Sequence, residues 1–174
     1  MEDFKEINEY PNSFSGTTTL VRLTEGIGFR YSWGTEGITD SDLSYTPGNE
    51  SRTMKETLDH IRYLALFIAN SLEGERTTFP EPASELSFTE IKKDTLGKLN
   101  QIRSFLASTT DEELAGKQIK IAVDGASFET PIWHLINGPF LDMGYHVGQL
   151  IMMRRSNGNP IDPAVEPFFC KKMG

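Results

Sequence analysis

The sequence has little cysteine and no long apolar run, and both absences restrict where the protein works. Its single cysteine, Cys170, cannot form a disulfide within the chain, so we expect a reducing, cytoplasmic environment. The longest apolar stretches, 63–69 and 150–153, are far shorter than the roughly 20 residues that span a membrane. The first ten residues are acidic and lack the apolar core of a signal peptide. We therefore expect a protein that is neither inserted into a membrane nor secreted.

Positive charge is also scarce. Lysine and arginine total 17 against 25 aspartate and glutamate residues, which gives a formal net charge of −8 at pH 7. The densest basic cluster is only Arg154-Arg155. Because contacts with phosphate supply most of the affinity of a DNA-binding domain, this charge balance argues against a nucleic-acid partner.

The chain does contain enough apolar material for one core. Of its 174 residues, 37% are hydrophobic and 24% are charged, a composition typical of a globular domain. Neither an internal repeat nor a long linker divides the sequence, so we predict a single domain over residues 1–174.

Apolar residues at three- and four-residue intervals predict three helices in the first two thirds of the chain. The first stripe covers 17–37. The second follows a capping box of Thr53 and Glu56 and ends at Gly74. The third follows a second capping box, of Ser87 and Glu90, and its stripe covers 91–106. We predict loops between these helices at 38–49 and around Pro80 and Pro82, and a further loop after the third helix at 109–114.

The spacing of the apolar residues then changes from the three- and four-residue intervals of a helix to the alternation of a strand. Residues 117–123 alternate apolar and polar side chains and lead into Asp124-Gly125, a hairpin turn signal. Thr130-Pro131 then predicts the N-terminus of a fourth helix. We therefore predict an all-α fold, a four-helix bundle with a small β-hairpin excursion before the last helix.

The fourth helix is predicted to continue to about Arg155, with Gly138-Pro139 kinking it or delaying its start. We expect the tail after Pro160 to be irregular and packed on the surface.

The histidines are the residues with metal-binding chemistry. The chain has three histidines. His60 lies at the edge of the buried stripe of the second helix, and His146 lies four residues after Asp142 on the last helix. One carboxylate and two imidazoles from two helices form a three-ligand set that leaves a coordination position open. The alternative is that each histidine is an ordinary, partly buried helix residue.

His134 precedes His146 by twelve residues, an offset of about 120° on an unbroken helix, so it should not face the same point. We favour a role in the core or in orienting the ligands over metal ligation. Its neighbour Trp133 is predicted to be a packing anchor.

The segment 142–149 (Asp-Met-Gly-Tyr-His-Val-Gly-Gln) resembles the last-helix signature of the DinB-like (damage-inducible) superfamily of four-helix-bundle metalloproteins. In that signature a metal-binding histidine immediately precedes an x-Gly-Gln triplet, a second ligand lies four residues upstream, and the second helix supplies the third. The resemblance implies that His60, Asp142 and His146 bind a divalent transition metal such as zinc, nickel or manganese. It also implies that Gln149 holds a ligand or a helix terminus by hydrogen bonding.

The sequence departs from the superfamily pattern at Asp142, where most members have histidine. Aspartate is a competent ligand and favours slightly harder divalent ions. The alternative is a vestigial site in which Asp142 only pairs with His146.

The resemblance further implies a metal-dependent enzyme, because characterised relatives include S-transferases and isomerases that use small thiols. A divalent metal at an open site lowers the pKa of a thiol or of water, so thiol transfer and hydrolysis would share the same ligands. His134 and Glu36 are candidate acid–base residues, whereas Cys170 in the tail is a poor nucleophile candidate. Two alternatives stay open: a non-catalytic metal-binding stress-response bundle, and a structural homodimer with a vestigial site. Pairing as a homodimer is itself common in the superfamily.

Overall fold

The computed structural model describes residues 4–7, 9–82 and 84–174, and it is mostly helical with two small sheets. The helices are α1 (Gly16–Gly34), α2 (Asp40–Leu43), α3 (Met54–Glu73), α4 (Phe88–Ser108), α5 (Asp111–Ala115), α6 (Trp133–Leu135) and α7 (Leu141–Ser156), and a π-helical turn (Ile136–Phe140) joins α6 to α7. The strands are β1 (Arg76–Phe79), β2 (Gln118–Val123), β3 (Ala126–Pro131), β4 (Val165–Glu166) and β5 (Lys171–Lys172).

The ends of α3 follow directly from its sequence. The hydroxyl of Thr53 accepts from the backbone N–H of Glu56, and the Glu56 carboxylate accepts from the backbone N–H of Thr53. At the other end Gly74 adopts a left-handed conformation with φ of 81°, which glycine tolerates best. The predicted start and end of this helix are therefore confirmed.

Four long helices enclose the core. α1 packs against α4 and α7, and α3 packs against the same two helices. Apolar side chains on the inner faces are fully buried, and each such burial stabilises the fold by roughly 1.5–3 kcal/mol. They include Leu58, Ile61, Ile68, Leu99, Ile102 and Leu150.

The sheet beside the helices has three strands. β2 pairs antiparallel with β3 through a turn in which Asp124 and Gly125 both have positive φ. β1 pairs parallel with β2, so the loop predicted around Pro80 begins with a strand. Only Thr77 of β1 is buried, which leaves no alternation that a sequence pattern could reveal.

Two other expectations about local structure are wrong. The predicted loop at 38–49 contains α2, and most of α5 lies in the predicted loop at 109–114; both helices are too short to show a helical period. Thr130 and Pro131 end β3 and do not cap a helix, because both pair with β2. The interruption expected at Gly138-Pro139 is present, because Pro139 lies inside the π-helical turn and the last long helix, α7, begins only at Leu141.

The C-terminal end of α7 is fixed to α1 by a buried polar network. The Arg154 guanidinium donates to the carbonyl oxygens of Gly34 at 3.1 Å, Glu36 at 2.6 Å and Asn159 at 2.9 Å. The buried carboxylate of Asp42 accepts from the side-chain amide of Asn159 at 2.7 Å. These bonds satisfy carbonyls at the end of α1 that would otherwise lack donors.

The tail after α7 is more ordered than predicted. β4 pairs with β5, and the buried side chains of Val165 and Cys170 pack with Phe29 in a small second core. In the described part of the chain, every helix is too short or too polar to cross a membrane.

Candidate metal centre

Two helices bring three potential ligands together. His60 lies in the second turn of α3, and Asp142 and His146 lie one turn apart at the start of α7. His60 Nε2 is 3.5 Å from Asp142 Oδ2, and His146 Nε2 is 3.3 Å from Asp142 Oδ1. One ligand atom from each residue lies within 4.8 Å of the other two. The three residues singled out by sequence thus converge on one point.

The His60 ring is held by a residue that the sequence did not single out. His60 Nδ1 lies 2.6 Å from Oε2 of Glu81, which follows β1. An ionised carboxylate can only accept, so the proton of the neutral ring is on Nδ1 and the lone pair is on Nε2. A carboxylate on the far nitrogen of a histidine is the common arrangement around metal-binding imidazoles.

His146 is held in the same way from its own helix. Its Nδ1 donates to Oε1 of Gln149 at 2.7 Å, which again leaves the Nε2 lone pair directed at Asp142. The side chain is buried, and this burial lowers the pKa of His146 against the opposing effects of the Gln149 hydrogen bond and the Asp142 charge. The neutral form, which is the form that binds metals, is therefore favoured.

This arrangement fits a divalent ion. Two Nε2 lone pairs and a carboxylate repel one another unless a cation lies between them. Ligand atoms about 2.1 Å from an ion in tetrahedral geometry are about 3.4 Å apart. Each Nε2 lies at about this distance from one oxygen of Asp142, His60 at 3.5 Å from Oδ2 and His146 at 3.3 Å from Oδ1. Two imidazole nitrogens and one carboxylate oxygen suit zinc, manganese or nickel.

A small apolar cavity opens beside these ligands. It has a volume of about 230 Å³, and its wall includes His60 and Asp142 together with apolar side chains of α3, β1 and β2. These are Tyr63, Leu64, Phe67, Phe79, Ile119 and Ile121. Tyr63 also anchors β1 by donating to the carbonyl of Thr78. An occupant of the open coordination position therefore has an apolar surface next to it.

The other side of the histidine pair is polar. One cleft of about 500 Å³ contains Arg52, His60 and Glu81, and another of about 420 Å³ contains Arg52, His146 and Gln149. The centre is thus reachable from a polar side and an apolar side.

His134 is exposed at the wall of the apolar cavity that contains His60 and Asp142, so the expectation of a core position is wrong. Trp133 is 68% exposed and is not the packing anchor that was expected. The π-helical turn between α6 and α7 changes the angular offset that an unbroken helix would impose on His134.

Two other residues considered from sequence lie elsewhere. The Glu36 carboxylate pairs with Lys5 at 2.9 Å and Lys92 at 3.5 Å, and it lines none of the three cavities described above. Cys170 is buried, with its thiol 3.5 Å from the carbonyl oxygen of Pro167.

Fold and site together define a class: mostly helical proteins with a His-Asp-His cluster between two long helices. The sequence model of the DinB family matches residues 34–170, most of the chain, and the protein belongs to the DinB family. Its structure is similar to that of a DinB-like protein, YjoA, from Bacillus subtilis, with a TM-score of 0.57 and 18% identity over 82% of this chain and 96% of that one. At that identity the likeness concerns the fold alone. The sequence has no significant match among curated proteins.

Proposed function

We propose that the protein is a four-helix-bundle metalloenzyme in which His60, Asp142 and His146 bind one divalent transition metal ion. The observation that carries this proposal is the pair of Nε2 atoms facing one carboxylate, with both Nδ1 atoms already bonded to oxygen acceptors. A cation bound between them would satisfy both Nε2 atoms and the carboxylate at once.

The residues around the centre have separate tasks. Glu81 and Gln149 fix the orientation of the two imidazoles, and Asp142 lowers the net positive charge of the loaded site. The apolar cavity excludes water and holds the apolar part of a substrate beside the open position. His134, at the wall of that cavity, is placed to hold or accept a proton from the reacting molecule.

The reaction class that suits this centre is attack by a small thiol, or by water, on an electrophilic substrate. A divalent ion bound there supplies Lewis acidity, which lowers the pKa of a thiol or of water toward neutrality. S-transfer is favoured over hydrolysis because the cavity next to the ligands is apolar and would accommodate the hydrophobic part of an electrophile. The alternative, non-catalytic metal binding, predicts the same metal content without turnover.

Turnover assays on zinc-loaded protein separate these functions. Glutathione with 1-chloro-2,4-dinitrobenzene reports S-transfer, and 4-nitrophenyl acetate reports hydrolysis. Turnover that disappears in His60→Ala, and in protein stripped of metal, supports an enzyme. Full metal occupancy without turnover toward any probe favours the non-catalytic alternative, and equal turnover with and without metal contradicts metal-dependent catalysis.

We also propose that the protein forms a homodimer through the exposed face of α7. Leu141, Tyr145 and Met152 are 62%, 64% and 52% exposed and, with Gly148, form one stripe along that helix. Because the opposite face of α7 is buried, the helix is apolar on both sides, which is typical of a helix with partners on both sides. A second copy would supply the same stripe, as a two-fold interface requires.

Analytical ultracentrifugation tests the dimer. Leu141→Glu should shift the chain toward monomer, whereas Arg155→Gln, also exposed on α7, should not. A wild-type protein that sediments as a monomer at all concentrations would refute this interface.

A further inference from the structure

A second, larger cavity lies apart from the metal centre. Its volume is about 790 Å³, and its walls are residues 10–14, one side of α1, and Phe168 and Cys170 of the tail. It shares no lining residue with the three cavities around the histidine pair. A volume of this size is within the range of small-molecule sites. We call it the α1 cavity.

The walls of the α1 cavity are apolar and carry charge of one sign. Phe14, Leu23 and Ile27 supply apolar surface, and Phe14 is 97% exposed. Among the described residues, the charged side chains in the wall are Arg22 and Arg30. In a chain with 25 acidic and 17 basic residues, a cavity with two arginines and no carboxylate is complementary to an anion.

The two arginines differ in how their charges are balanced. Arg22 lies 3.4 Å from the Glu25 carboxylate and stacks on the Tyr10 ring at 4.8 Å. Arg30 donates to the carbonyl of Gly26 at 3.1 Å, and no carboxylate of the described residues pairs with it. Arg30 therefore contributes a positive charge that an anionic ligand could neutralise.

Two glycines in the wall keep space open. Gly26 lies inside α1 and Gly144 inside α7, positions where glycine is a poor helix former. A Cβ at Gly26 would meet only Arg30 Nη1, at 3.5 Å, and a Cβ at Gly144 would meet nothing within 4 Å. Packing among the described residues therefore does not require either glycine, whereas an occupant of the cavity would use the space.

We propose that the α1 cavity binds a small anionic amphiphile, a medium-chain carboxylate, whose acidic group pairs with Arg30. Its hydrocarbon chain lies along Leu23 and Ile27 and against Phe14. The Arg30 guanidinium, which donates to the carbonyl of Gly26, lies at the cavity wall. A planar carboxylate can be bound there by two parallel hydrogen bonds. The metal centre takes no part in this binding.

Isothermal titration calorimetry on metal-free protein tests this directly. Decanoate is the probe, and decylammonium, with the same chain and the opposite charge, is its matched control. We expect saturable binding of about one decanoate per chain and at least tenfold weaker binding of decylammonium. Absence of saturable decanoate binding, or equal affinity for the two probes, would overturn the proposal.

Two variants locate the binding. Gly26→Leu fills the cavity with a side chain that favours the helix, so it should fold and bind decanoate at least tenfold more weakly. Arg30→Gln should reduce decanoate binding and abolish the preference over decylammonium, while Arg155→Gln should change neither. Unchanged decanoate binding in Gly26→Leu would overturn the assignment. The assignment would also be overturned if the wild-type protein were a dimer that Gly26→Leu dissociates, because a second copy of the chain would then cover the α1 cavity.

Discussion

Glu81 and His60 are joined by a hydrogen bond of 2.6 Å across 21 positions of sequence. The bond connects the segment after β1 to the second turn of α3, and it determines which nitrogen of His60 carries the proton. His146 obtains the same constraint from Gln149, three residues away on α7. The two imidazoles are therefore oriented before any ion binds, which is the basis of the metal site proposed here.

Removal of the Glu81 carboxylate should weaken metal binding without removing a ligand. We expect Glu81→Ala to lower zinc affinity by about 10- to 100-fold, the usual effect of losing such a partner. Glu81→Gln retains an oxygen acceptor and should lose less. Competition with a chromophoric zinc chelator measures both variants, and equal affinity in wild type and Glu81→Ala would show that the hydrogen bond does not orient His60.

Substitutions at Asp142 distinguish a ligand from a simple ion-pair partner. Asp142→Asn should weaken zinc binding because an amide oxygen is a poorer ligand than a carboxylate, whereas Asp142→His restores a nitrogen donor and should retain zinc. The same chelator competition provides the affinities. If the Asp142→Asn protein binds zinc as tightly as the wild type, Asp142 is not a ligand.

The buried guanidinium of Arg154 should be a major contributor to stability. Arg154→Gln leaves carbonyls of Gly34 and Glu36 without their donor, and we expect the free energy of unfolding to fall by about 2–4 kcal/mol. Arg155, the exposed neighbour, provides the control. Arg155→Gln should change the free energy of unfolding by less than about 0.5 kcal/mol. Urea unfolding monitored by circular dichroism gives both values, and similar losses in the two variants would contradict this role.

Asp42 should make the fold sensitive to acid. Burial raises the pKa of its carboxyl, but hydrogen bonds from Asn157, Thr39 and Asn159 outweigh this effect and lower the pKa from 3.8 to about 2. Because the folded-state pKa is the lower one, the stabilisation is complete above about pH 4 and disappears as the pH falls toward 2. The shift corresponds to about 2 kcal/mol.

Urea unfolding of metal-free protein between pH 7 and pH 2 checks this expectation. Asp42→Asn should be less stable than wild type at pH 7, and the difference between the two should shrink as the pH falls below about 4. A difference that stays constant over the whole range would show that ionisation of Asp42 does not contribute.

The sequence predicted those features that depend on neighbours in the chain. Thr53, Glu56 and Gly74 act within one or two turns, so the ends of α3 were readable from the sequence. The proximity of Asp142 to His146 follows from helical spacing in the same way.

Features that depend on distant contacts were missed. Glu81 lies in a proline-containing segment with no periodicity, and it reaches His60 because β1 pairs with β2 and is bonded to Tyr63 of α3. Thr130-Pro131 has the residues of a helix start, yet the register with β2 makes it the end of a strand. The exposure of Trp133 was missed because α6, in which it lies, has only three residues, too few to show which face of the helix is buried.

Metal content tests the central claim most directly. Plasma mass spectrometry on tag-free protein, after incubation with zinc, nickel or manganese and removal of excess ion, should find about one transition metal ion per chain. The same measurement on His60→Ala and His146→Ala should find almost none, while His134→Ala, an exposed histidine outside the cluster, should keep it. Protein that retains no metal under any of these conditions, or variants that keep the full amount, would contradict the site.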